Sequence, residues 1–284
     1  MIARHRGEYP LTLMCRVLAV SRSGFHAWGT RPPSRRAQED AALRVRIVAT
    51  HHRAREAYGA RSHRSELAAA GIRISRRRTR RLMQEGQCVA VQPARWRVTT
   101  QADPALPVVP NRLARQFTVA QPNRVWVADL TYCWTQDGWL FLAVVLDLCS
   151  RRVVGWATSA SPDQQVALIA WHRAVALRQP APGLVHHSDR GSTYACRAYR
   201  EALATVGAVA SMSRTGDCWD NAVVESWFAT LKRELVHRQT WPTRSSLTRA
   251  LVEYIEGWYN PERRHSHLGY VSPLTYEAQL RRAA

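Results

Sequence analysis

The sequence predicts an α/β protein in which a mixed β-sheet is flanked by helices and preceded by a helical, helix-turn-helix-like region. Three observations lead to this prediction. After residue 124, strand-like segments first follow one another and then alternate with helical segments, a pattern typical of a mixed sheet covered by helices. Short basic helices are expected in the first 90 residues. A proline-rich segment separates the two parts and interrupts every helical window.

The positive charge of the chain is concentrated in its first 120 residues. The 284-residue chain has a net charge of +20. Residues 1–120 carry 23 arginines against seven acidic residues, whereas the remainder carries a net charge of only +4. Such an excess indicates a polyanionic partner or an anionic membrane surface. We therefore expect the front of the chain to be the part that contacts a polyanion.

Residues 1–90 are predicted to form a basic helical region with two helix-turn-helix-like units. The expected helices are two within 11–28 around a turn at 21–24, one near 41–54, one from 61 to 70, and one from 75 to 84. Ser75 is the expected N-cap of the last helix, which reads SRRRTRRLMQ. Removal of residues 1–90 is expected to weaken DNA binding while the rest of the chain stays folded.

Arginines cover most of the surface of this last helix. A solvated charged face is one explanation of a short basic helix. The scarcity of acidic residues and the preceding turn and helix favour a helix that contacts DNA phosphates. The arginines expected to bind DNA here are Arg76, Arg77, Arg78 and Arg80, together with Arg61 in the preceding helix.

The remainder of the chain is predicted to comprise a linker, a core and a tail. Residues 91–120 are the proline-rich linker, residues 121–240 the core, and residues 241–284 a helical extension of the core. Gln136 to Gly138 are expected to form a hairpin turn. The expected core elements are strands at 125–135, 139–149, 152–160, 183–189 and 207–212, helices at 162–178, 195–206 and 220–238, and a polar loop, RTGDCW, before the last helix. Asp220 is its expected N-cap, and Asn260-Pro261 should interrupt the tail.

Several classes of protein are disfavoured by composition. The longest uninterrupted apolar run, Trp139 to Leu146, is far shorter than the roughly twenty residues of a membrane span. Arg16 lies inside the apolar part of the N-terminal segment, and no small-residue cleavage site follows, which argues against a signal peptide. The six cysteines include no C-x-x-C pair, which fits reduced thiols and argues against a zinc ribbon. We therefore predict a cytoplasmic protein without a membrane partner.

Three acidic residues occur where a carboxylate needs an explanation. Asp129 interrupts an otherwise apolar strand, Asp189 ends another apolar strand, and Glu225 lies near the start of a helix. Each of them alone is equally well explained by a structural ion pair or a cap. Together at one end of a sheet, three carboxylates would suit Mg²⁺ or Mn²⁺. Two such ions about 3.5–4 Å apart would support in-line displacement at phosphorus.

The chain contains forty arginines and a single lysine, Lys232. Lys232 follows Glu225 by seven residues and therefore shares its helix face. A lysine is a compact charge on a flexible stem, whereas an arginine is a planar fork that could compete for the carboxylates. A solvated helix face is the alternative explanation. We expect Lys232, and Arg190 beside Asp189, to contact DNA.

At these residues the chain resembles the transposases of two-frame bacterial insertion sequences. Their catalytic core is similar to that of retroviral integrases and has the ribonuclease H-like fold. The matching stretches extend in order over nearly the whole chain. They are PLTLMCRVLAVSRSGFHAW, YGARSHRSELAAAGIRISRRRTRRLM, PNRVWVADLTY, GWLFLAVVLDLCSRRVVGW, HHSDRGSTY, SMSRTGDCWDNAVVESWFATLKREL and YIEGWYNPERRHSHLGYVSPLTYE.

The resemblance implies that Asp129, Asp189 and Glu225 form the acidic catalytic triad, with 35 residues between the second and third. It implies that Lys232 is the basic position that follows the glutamate. In that family the active enzyme is usually a fusion with an upstream helix-turn-helix and leucine-zipper product. Since this sequence has no heptad segment, we expect it to be the catalytic half.

The sequence therefore predicts a transposase that cleaves and joins DNA with two Mg²⁺ or Mn²⁺ ions. We expect its partners to be double-stranded DNA, both element ends and target, and further copies of itself, with the location nucleoid-associated. A nuclease of the same fold would cut without joining. A DNA-binding repressor would use the basic front alone and would keep its function after Asp189→Asn.

Overall fold

A five-stranded mixed sheet forms the centre of the molecule. The computed structural model describes residues 1–91, 109–213 and 218–283. The strands are β1 (Val125–Thr135), β2 (Gly138–Asp147), β3 (Val153–Ser159), β4 (Val185–Ser188) and β5 (Val209–Met212). Their spatial order is β3-β2-β1-β4-β5. β1, β2 and β3 form an antiparallel meander, while β4 and β5 run parallel to β1. The predicted fold class, a mixed ribonuclease H-like sheet flanked by helices, is confirmed.

Helices cover both faces of this sheet. One face carries α6 (Gln164–Arg178), α7 (Ser192–Ala195) and α8 (Arg197–Thr205), and the other carries α9 (Ala222–Glu234) and α10 (Arg244–Val252). Side chains of β1 alternate between the two faces. Trp126 and Ala128 pack in the cluster under α6 and α8, whereas Val127 packs in the larger cluster under α9. Both faces of β1 are thus buried around Trp126 to Ala128, which explains the apolar sequence there, whereas Tyr132 and Trp134 further along are exposed.

The N-terminal region is helical, as predicted. Its helices are α1 (Leu11–Val17), α2 (Arg22–Thr30), α3 (Arg35–Arg53), α4 (Ala60–Ala69) and α5 (Arg76–Glu85). Ser75 caps α5 by accepting a hydrogen bond from the Arg78 backbone N–H at 3.2 Å. The expected turn at 21–24 is wrong, because Ser21 caps α2 and the helix begins at the next residue. Helix α3 also begins earlier than expected, after the N-cap Ser34.

The N-terminal region packs against the core. Helices α3 to α5 share a small cluster of their own. However, Ala54 and Tyr58, which lie between α3 and α4, are buried in the larger cluster of the sheet. The Tyr58 hydroxyl accepts a hydrogen bond from the Arg264 backbone N–H at 2.8 Å. Removal of residues 1–90 would therefore expose part of this cluster, and the expectation that the core stays folded without them stays a prediction.

The predicted linker is only partly a linker. Residues 92–108 lie outside the described residues. In the described part, Leu113 is buried in the larger cluster, and the Arg112 backbone N–H donates to Ser211 Oγ at 2.9 Å. This part lacks helical periodicity, as expected, but it packs on the core. In the predicted polar loop RTGDCW, residues 214–217 likewise lie outside the described residues, and a 3₁₀ turn, Cys218–Asn221, follows.

The helix that follows this loop differs from the prediction at both ends. Asp220 does not cap it, because its buried carboxylate accepts hydrogen bonds from Asn111 Nδ2 at 2.8 Å and Arg115 Nε at 3.2 Å. Residue Asn221 occupies the N-cap position without a side-chain cap bond. The helix ends at Glu234, and a separate 3₁₀ turn, Val236–Arg238, replaces the last predicted turn. The helix predicted at 195–206 is similarly two helices, α7 and α8, with extended backbone at Cys196.

The tail is a helical extension packed on the core, in agreement with the sequence. After α10, a π-helical segment, Glu253–Tyr259, leads to Asn260, where the helix breaks as predicted; α11 comprises Pro273–Ala283. The Asn260 side chain accepts from the Val153 backbone N–H and donates to the Val153 carbonyl, both at 3.0 Å. Buried Glu277 pairs with Arg152 at 3.0 Å and Arg178 at 2.8 Å. In the part of the chain that the structure describes, no helix has the length and apolar character needed to cross a membrane.

A close approach between β3 and α6 generates a test of the packing. A Cβ atom on Gly155 would lie 2.7 Å from the Ala174 backbone nitrogen. Gly155→Ala should therefore lower the free energy of unfolding by about 1–3 kcal/mol through overpacking. Gly257→Ala is the matched control, because no atom lies within 4 Å of its added Cβ. Urea unfolding measures both variants, and equal stabilities would contradict the close packing.

Candidate active site

Asp129 and Asp189 lie side by side on neighbouring parallel strands. The pairing of β1 with β4 ends with Ala128 opposite Ser188. Asp129 is the next residue of β1, and Asp189 directly follows β4. Residues two apart on a strand share a face. Both aspartates therefore belong to the face that carries Val127 and is covered by α9. Both are half-buried.

Local backbone groups orient the two carboxylates. Oδ1 of Asp129 accepts a hydrogen bond from the Leu130 backbone N–H at 2.8 Å. Oδ1 of Asp189 accepts from the Gly191 backbone N–H at 3.0 Å. A Cβ at residue 191 would itself lie 3.0 Å from that oxygen, so glycine leaves room for the carboxylate. Each carboxylate retains further lone pairs for other ligands.

Burial and mutual repulsion raise the pKa of these acids. Burial contributes most to the raised pKa of Asp129, followed by the charges of Asp189 and Glu225, while the Leu130 N–H and Lys232 oppose the rise. Burial also raises the pKa of Asp189, against the hydrogen bond from Gly191. The pKa of Glu225 is raised by burial and then by the charge of Asp189. A cation bound among these groups would be favoured, because it would offset their repulsion.

Helix α9 presents Glu225 and Lys232 to the two aspartates. Glu225 lies in its first turn and Lys232 in its last. The Lys232 Nζ is 5.2 Å from the centre of the Tyr132 ring, and its charge lowers the pKa of Asp129. Before the helix, Asn221 Nδ2 donates to the Ala128 carbonyl at 3.4 Å. That bond ties the start of the helix to the residue preceding Asp129.

The three carboxylates are not gathered at ligand distance. Among the described residues, no three His, Cys, Asp or Glu side chains stand close enough together to hold one metal ion. The structure thus has two adjacent aspartates and a glutamate that interacts with them electrostatically from the facing helix. Glu225 is half-buried on a helix and has rotatable side-chain bonds. Its carboxylate would have to move before all three carboxylates could bind the same metal ion.

The arginines expected to contact DNA have different surroundings. Arg76, Arg77 and Arg80 are exposed on α5 and form no ion pair in residues 1–91, 109–213 or 218–283. Arg78 instead pairs with Asp40 at 2.7 Å and with Glu39 at 3.4 Å, which ties α5 to α3. Arg190 is half-buried beside Asp189 and donates from Nε to the Ser213 carbonyl at 2.6 Å.

Arg61 is placed away from the triad. It is exposed in the first turn of α4 and lines a cavity on the other side of α9. The residues predicted from the sequence therefore lie in three places. The carboxylates have Lys232 and Arg190 beside them, the exposed arginines lie on α5, and Arg61 lies at a separate cavity.

The sequence analysis missed polar residues that support the aspartates. His187 lies on the same face as Asp189, and its ring nitrogens contact Ser211 Oγ at 2.9 Å and Ser213 Oγ at 3.2 Å. Burial lowers the pKa of His187 to about 4. The period-two alternation in HHSD could have identified it. Buried Tyr194, whose hydroxyl has no partner among the described residues, interacts with the charges of both aspartates. Nothing in its local sequence indicates this position.

The chain matches known families over most of its length. Two models described as "Integrase core domain" match residues 119–218 and 207–273. A model described as "HTH-like domain" matches residues 37–96. The "Insertion element IS600 uncharacterized 31 kDa protein" of Shigella sonnei is 41% identical over 95% of this chain and 100% of its own length. "Transposase InsF for insertion sequence IS3A" of Escherichia coli (strain K12) is 35% identical over 97% of this chain and 96% of its own length.

Among solved structures, the magnesium complex of the HTLV-2 integrase catalytic core domain, in its dimeric form, is similar to this chain. The two are 17% identical, with 55% of this chain and 97% of the other covered and a TM-score of 0.42. The sequence matches are the stronger evidence, since they extend from the helix-turn-helix-like region to the tail. On these matches, the chain belongs to the family of insertion-sequence transposases with an integrase core domain, which includes the IS3 transposase.

Proposed function

We propose that this protein cleaves DNA at the ends of an insertion sequence and joins the cut strand to a target, with Asp129, Asp189 and Glu225 as its catalytic carboxylates. The observation that carries the proposal is the adjacent placement of Asp129 and Asp189 on parallel strands, opposite Glu225. A polynucleotidyl transferase needs such acids near the reacting phosphate, because metal ions must be held there. Membership of the transposase family supports the same chemistry.

The acids suit a divalent cation. Carboxylate oxygens are the ligands that Mg²⁺ and Mn²⁺ prefer. Bound there, as two ions in our proposal, the metal would activate a water or a 3′-hydroxyl and stabilise the leaving oxygen. The HTLV-2 integrase core is described in complex with magnesium, which supports this choice of ion. Asp129 and Asp189 would bind the metal, and rotation of the Glu225 side chain would bring the third carboxylate to it.

The residues around the acids would position the substrate. The N–H groups of Leu130 and Gly191 hold one oxygen of each aspartate and leave the other available. Lys232, whose charge acts on Asp129, and Arg190, which follows Asp189 in the chain, are proposed to contact a DNA phosphate. Neither residue is required to form a covalent bond with DNA, since the activated water or hydroxyl is the nucleophile.

The exposed arginines of α5 would bind double-stranded DNA, at element ends or target. Arg76, Arg77 and Arg80 are proposed as phosphate contacts because they are exposed and unpaired in the described part of the chain. Arg78 is left out of this set, since its pair with Asp40 explains its position. A homo-oligomer on DNA, an upstream first-frame product as partner, and a cytoplasmic, nucleoid-associated location stay predictions.

A strand-transfer assay tests the proposal. Labelled DNA carrying the ends of the insertion sequence, a target plasmid and Mg²⁺ are incubated with the chain, with and without its first-frame product. Joined product from the wild type and at least a hundredfold less from Asp189→Asn is expected, as removal of one metal ligand disables both steps. Cut DNA without joined product would identify a nuclease instead. Joining at the wild-type rate by Asp189→Asn would rule out the proposed site.

The raised pKa of Asp129 generates a prediction about pH. A group whose pKa is higher in the folded state stabilises the fold least at a pH above that raised value, because it is then buried and charged. In EDTA at neutral pH, Asp129→Asn should therefore raise the melting temperature, by about 2–4 °C for each kcal/mol of relieved repulsion. The gain should disappear at pH values below the ordinary carboxyl pKa, where Asp129 is protonated in both states.

Melting curves at several pH values, with and without Mg²⁺, check this prediction. Mg²⁺ should stabilise the wild type and not Asp129→Asn, because the ion needs the carboxylate. Exposed Asp137→Asn is the matched control. A lower melting temperature for Asp129→Asn in EDTA at neutral pH would contradict the prediction, because it would show that the folded protein stabilises the Asp129 carboxylate.

Lys232 is expected to act on the rate of joining more than on affinity. Lys232→Ala should lower strand transfer by about a hundredfold, the scale of a lost positioning contact. DNA affinity should change little, since this is one phosphate contact among many. Lys232→Arg should recover part of the rate, because it restores the charge but not the shape. Circular dichroism checks folding, and full joining activity in Lys232→Ala would make Lys232 a solvated surface residue.

The arginines of α5 generate a prediction about salt dependence. Replacing Arg76, Arg77 and Arg80 together with serine should reduce the slope of log affinity against log salt by about 2–3, as each phosphate contact contributes about 0.9. Binding titrations at several salt concentrations measure the slope. Replacement of three exposed arginines of the tail, Arg249, Arg281 and Arg282, is the matched control for net charge. Equal slopes in the two triple variants would exclude α5 as the DNA contact.

A further inference from the structure

A cavity of about 550 Å³ lies at the junction of the N-terminal region, the core and the tail. Its walls include Arg61 from α4, Arg151 from the corner after β2, and Trp227 from α9. The tail supplies the remaining basic lining residues, namely Arg263, Arg264, His265 and His267. Its size is within the range of small-molecule sites, about 300–1,000 Å³.

The cavity is separated from the carboxylates by α9. Ala222, Ser226 and Thr230 recur every four residues and line the cavity. Glu225 and Lys232 belong to another stripe of the same helix, which interacts with Asp129 and Asp189. The helix therefore separates two sites, and the cavity plays no part in the proposed cleavage and joining.

The charge of the cavity favours an anion. Among the described residues that line it, none is acidic. Two of its arginines are neutralised from outside the cavity, since Arg263 pairs with Glu234 at 2.7 Å and Arg264 with Glu66 at 2.8 Å. Arg61 is exposed and has no acidic partner in the part of the chain that the structure describes. A net positive charge thus remains on the walls.

Arg151 supplies a donor that has no partner. Its side chain is 7% exposed, and Nη2 donates to the Phe117 carbonyl at 2.9 Å. Nη1 is buried without a hydrogen-bond partner among the described residues, as is the indole Nε1 of Trp227. Burial lowers the pKa of Arg151, against the charges of Tyr259 and Asp147, which raise it. A buried cation with a free donor is costly to leave unpaired, so a bound anion would be strongly favoured.

Backbone contacts hold Arg151 in this position. Its φ of 59° is unusual for a residue with a side chain. The Arg151 N–H donates to the Asp147 carbonyl at 2.8 Å, and its carbonyl accepts from the Tyr259 hydroxyl at 2.9 Å. The guanidinium is therefore presented to the cavity by a fixed corner rather than by a flexible loop.

We propose that this cavity binds one nucleotide unit, with its phosphate on the guanidinium groups of Arg61 and Arg151 and its base against the aromatic lining. A phosphate matches the arginine donors in charge and geometry. The half-buried aromatic side chains of Phe117 and Tyr270 provide surfaces on which any base can stack. The nucleotide comes either from a free nucleotide or from an unpaired strand end. The inference does not depend on the proposed strand transfer.

Charge variants at Ser226 test the site without disturbing buried Arg151. Ser226 is exposed on α9 and lines the cavity. Ser226→Glu adds a negative charge there, and Ser226→Gln is a control of nearly equal size. Binding of inorganic phosphate, dAMP and a 5′-phosphorylated single-stranded oligonucleotide is followed by calorimetry and phosphorus NMR at constant ionic strength. EDTA is present throughout, so that phosphate cannot bind through a metal at the carboxylates.

Ser226→Glu should weaken binding of all three probes by about tenfold or more through charge repulsion, while Ser226→Gln stays close to the wild type. Arg61→Ser should also weaken binding, whereas Arg64→Ser, which removes an exposed arginine one turn later on α4, should not. Tighter binding of dAMP than of phosphate is expected from base stacking. Comparison of dAMP with the oligonucleotide then distinguishes a free nucleotide from a strand end.

Equal affinities of Ser226→Glu and Ser226→Gln for all probes would overturn the proposal, as would failure of the wild type to bind phosphate at millimolar concentration. Equal binding of phosphate and dAMP would overturn the stacked base. Strand transfer is measured separately with Mg²⁺, so loss of the nucleotide site and loss of the joining activity are distinguishable.

Discussion

The parallel pairing of β1 with β4 is the constraint on which the candidate active site depends. It sets Ala128 opposite Ser188 and so brings the following aspartates next to each other on one face. Two carboxylates in this position repel, and burial increases the cost, so the pKa of both is raised. The fold tolerates this repulsion because the strands on which the aspartates lie are fixed by the sheet and by helices on both faces. A site that costs stability while it lacks a cation is a common property of functional sites.

Helix α9 lies between the acidic site and the basic cavity. Its first and last turns present Glu225 and Lys232 to the aspartates, and another stripe lines the basic cavity. Asn221 and buried Asp220 fasten the start of this helix to β1 and to the segment before the core. The position of Glu225 therefore depends on contacts far from it in sequence. The same helix gives the proposed nucleotide site its wall, so the two sites share a rigid boundary.

The basic front and the tail are parts of one packed structure. Tyr58 is buried in the cluster of the sheet, and Glu56 pairs with Arg238 at 2.6 Å. Arg264 pairs with Glu66 at 2.8 Å. Because Tyr58 is buried and the Arg264–Glu66 pair is partly buried, these two contacts are expected to hold the N-terminal helices against the core. The exposed arginines of α5 thus have a fixed place relative to the carboxylates, which suits the proposed binding of DNA at both places.

The local sequence determined the elements whose signals are local. The content of β-forming residues and the hairpin turn placed β1 correctly from Val125 to Thr135, and the capping serine placed the start of α5. The apolar context of Asp129 and Asp189 indicated them as candidate site residues, and the resemblance to insertion-sequence transposases joined them to Glu225. In contrast, Asp220 was taken for a helix cap because nothing in its neighbourhood shows that Asn111 and Arg115 reach its carboxylate.

Only the tertiary structure determined the contacts between residues that are distant in the chain. The sequence shows charge, periodicity and turn residues, because these act over a few positions. It does not show that Tyr58 enters the core of the sheet, that Arg78 is paired with Asp40, or that Arg151 has a buried donor without a partner among the described residues. Each of these depends on which surfaces meet when the chain packs. Side-chain partners and unpaired groups are set by that packing, whereas strands and helices are largely set by the order of residues.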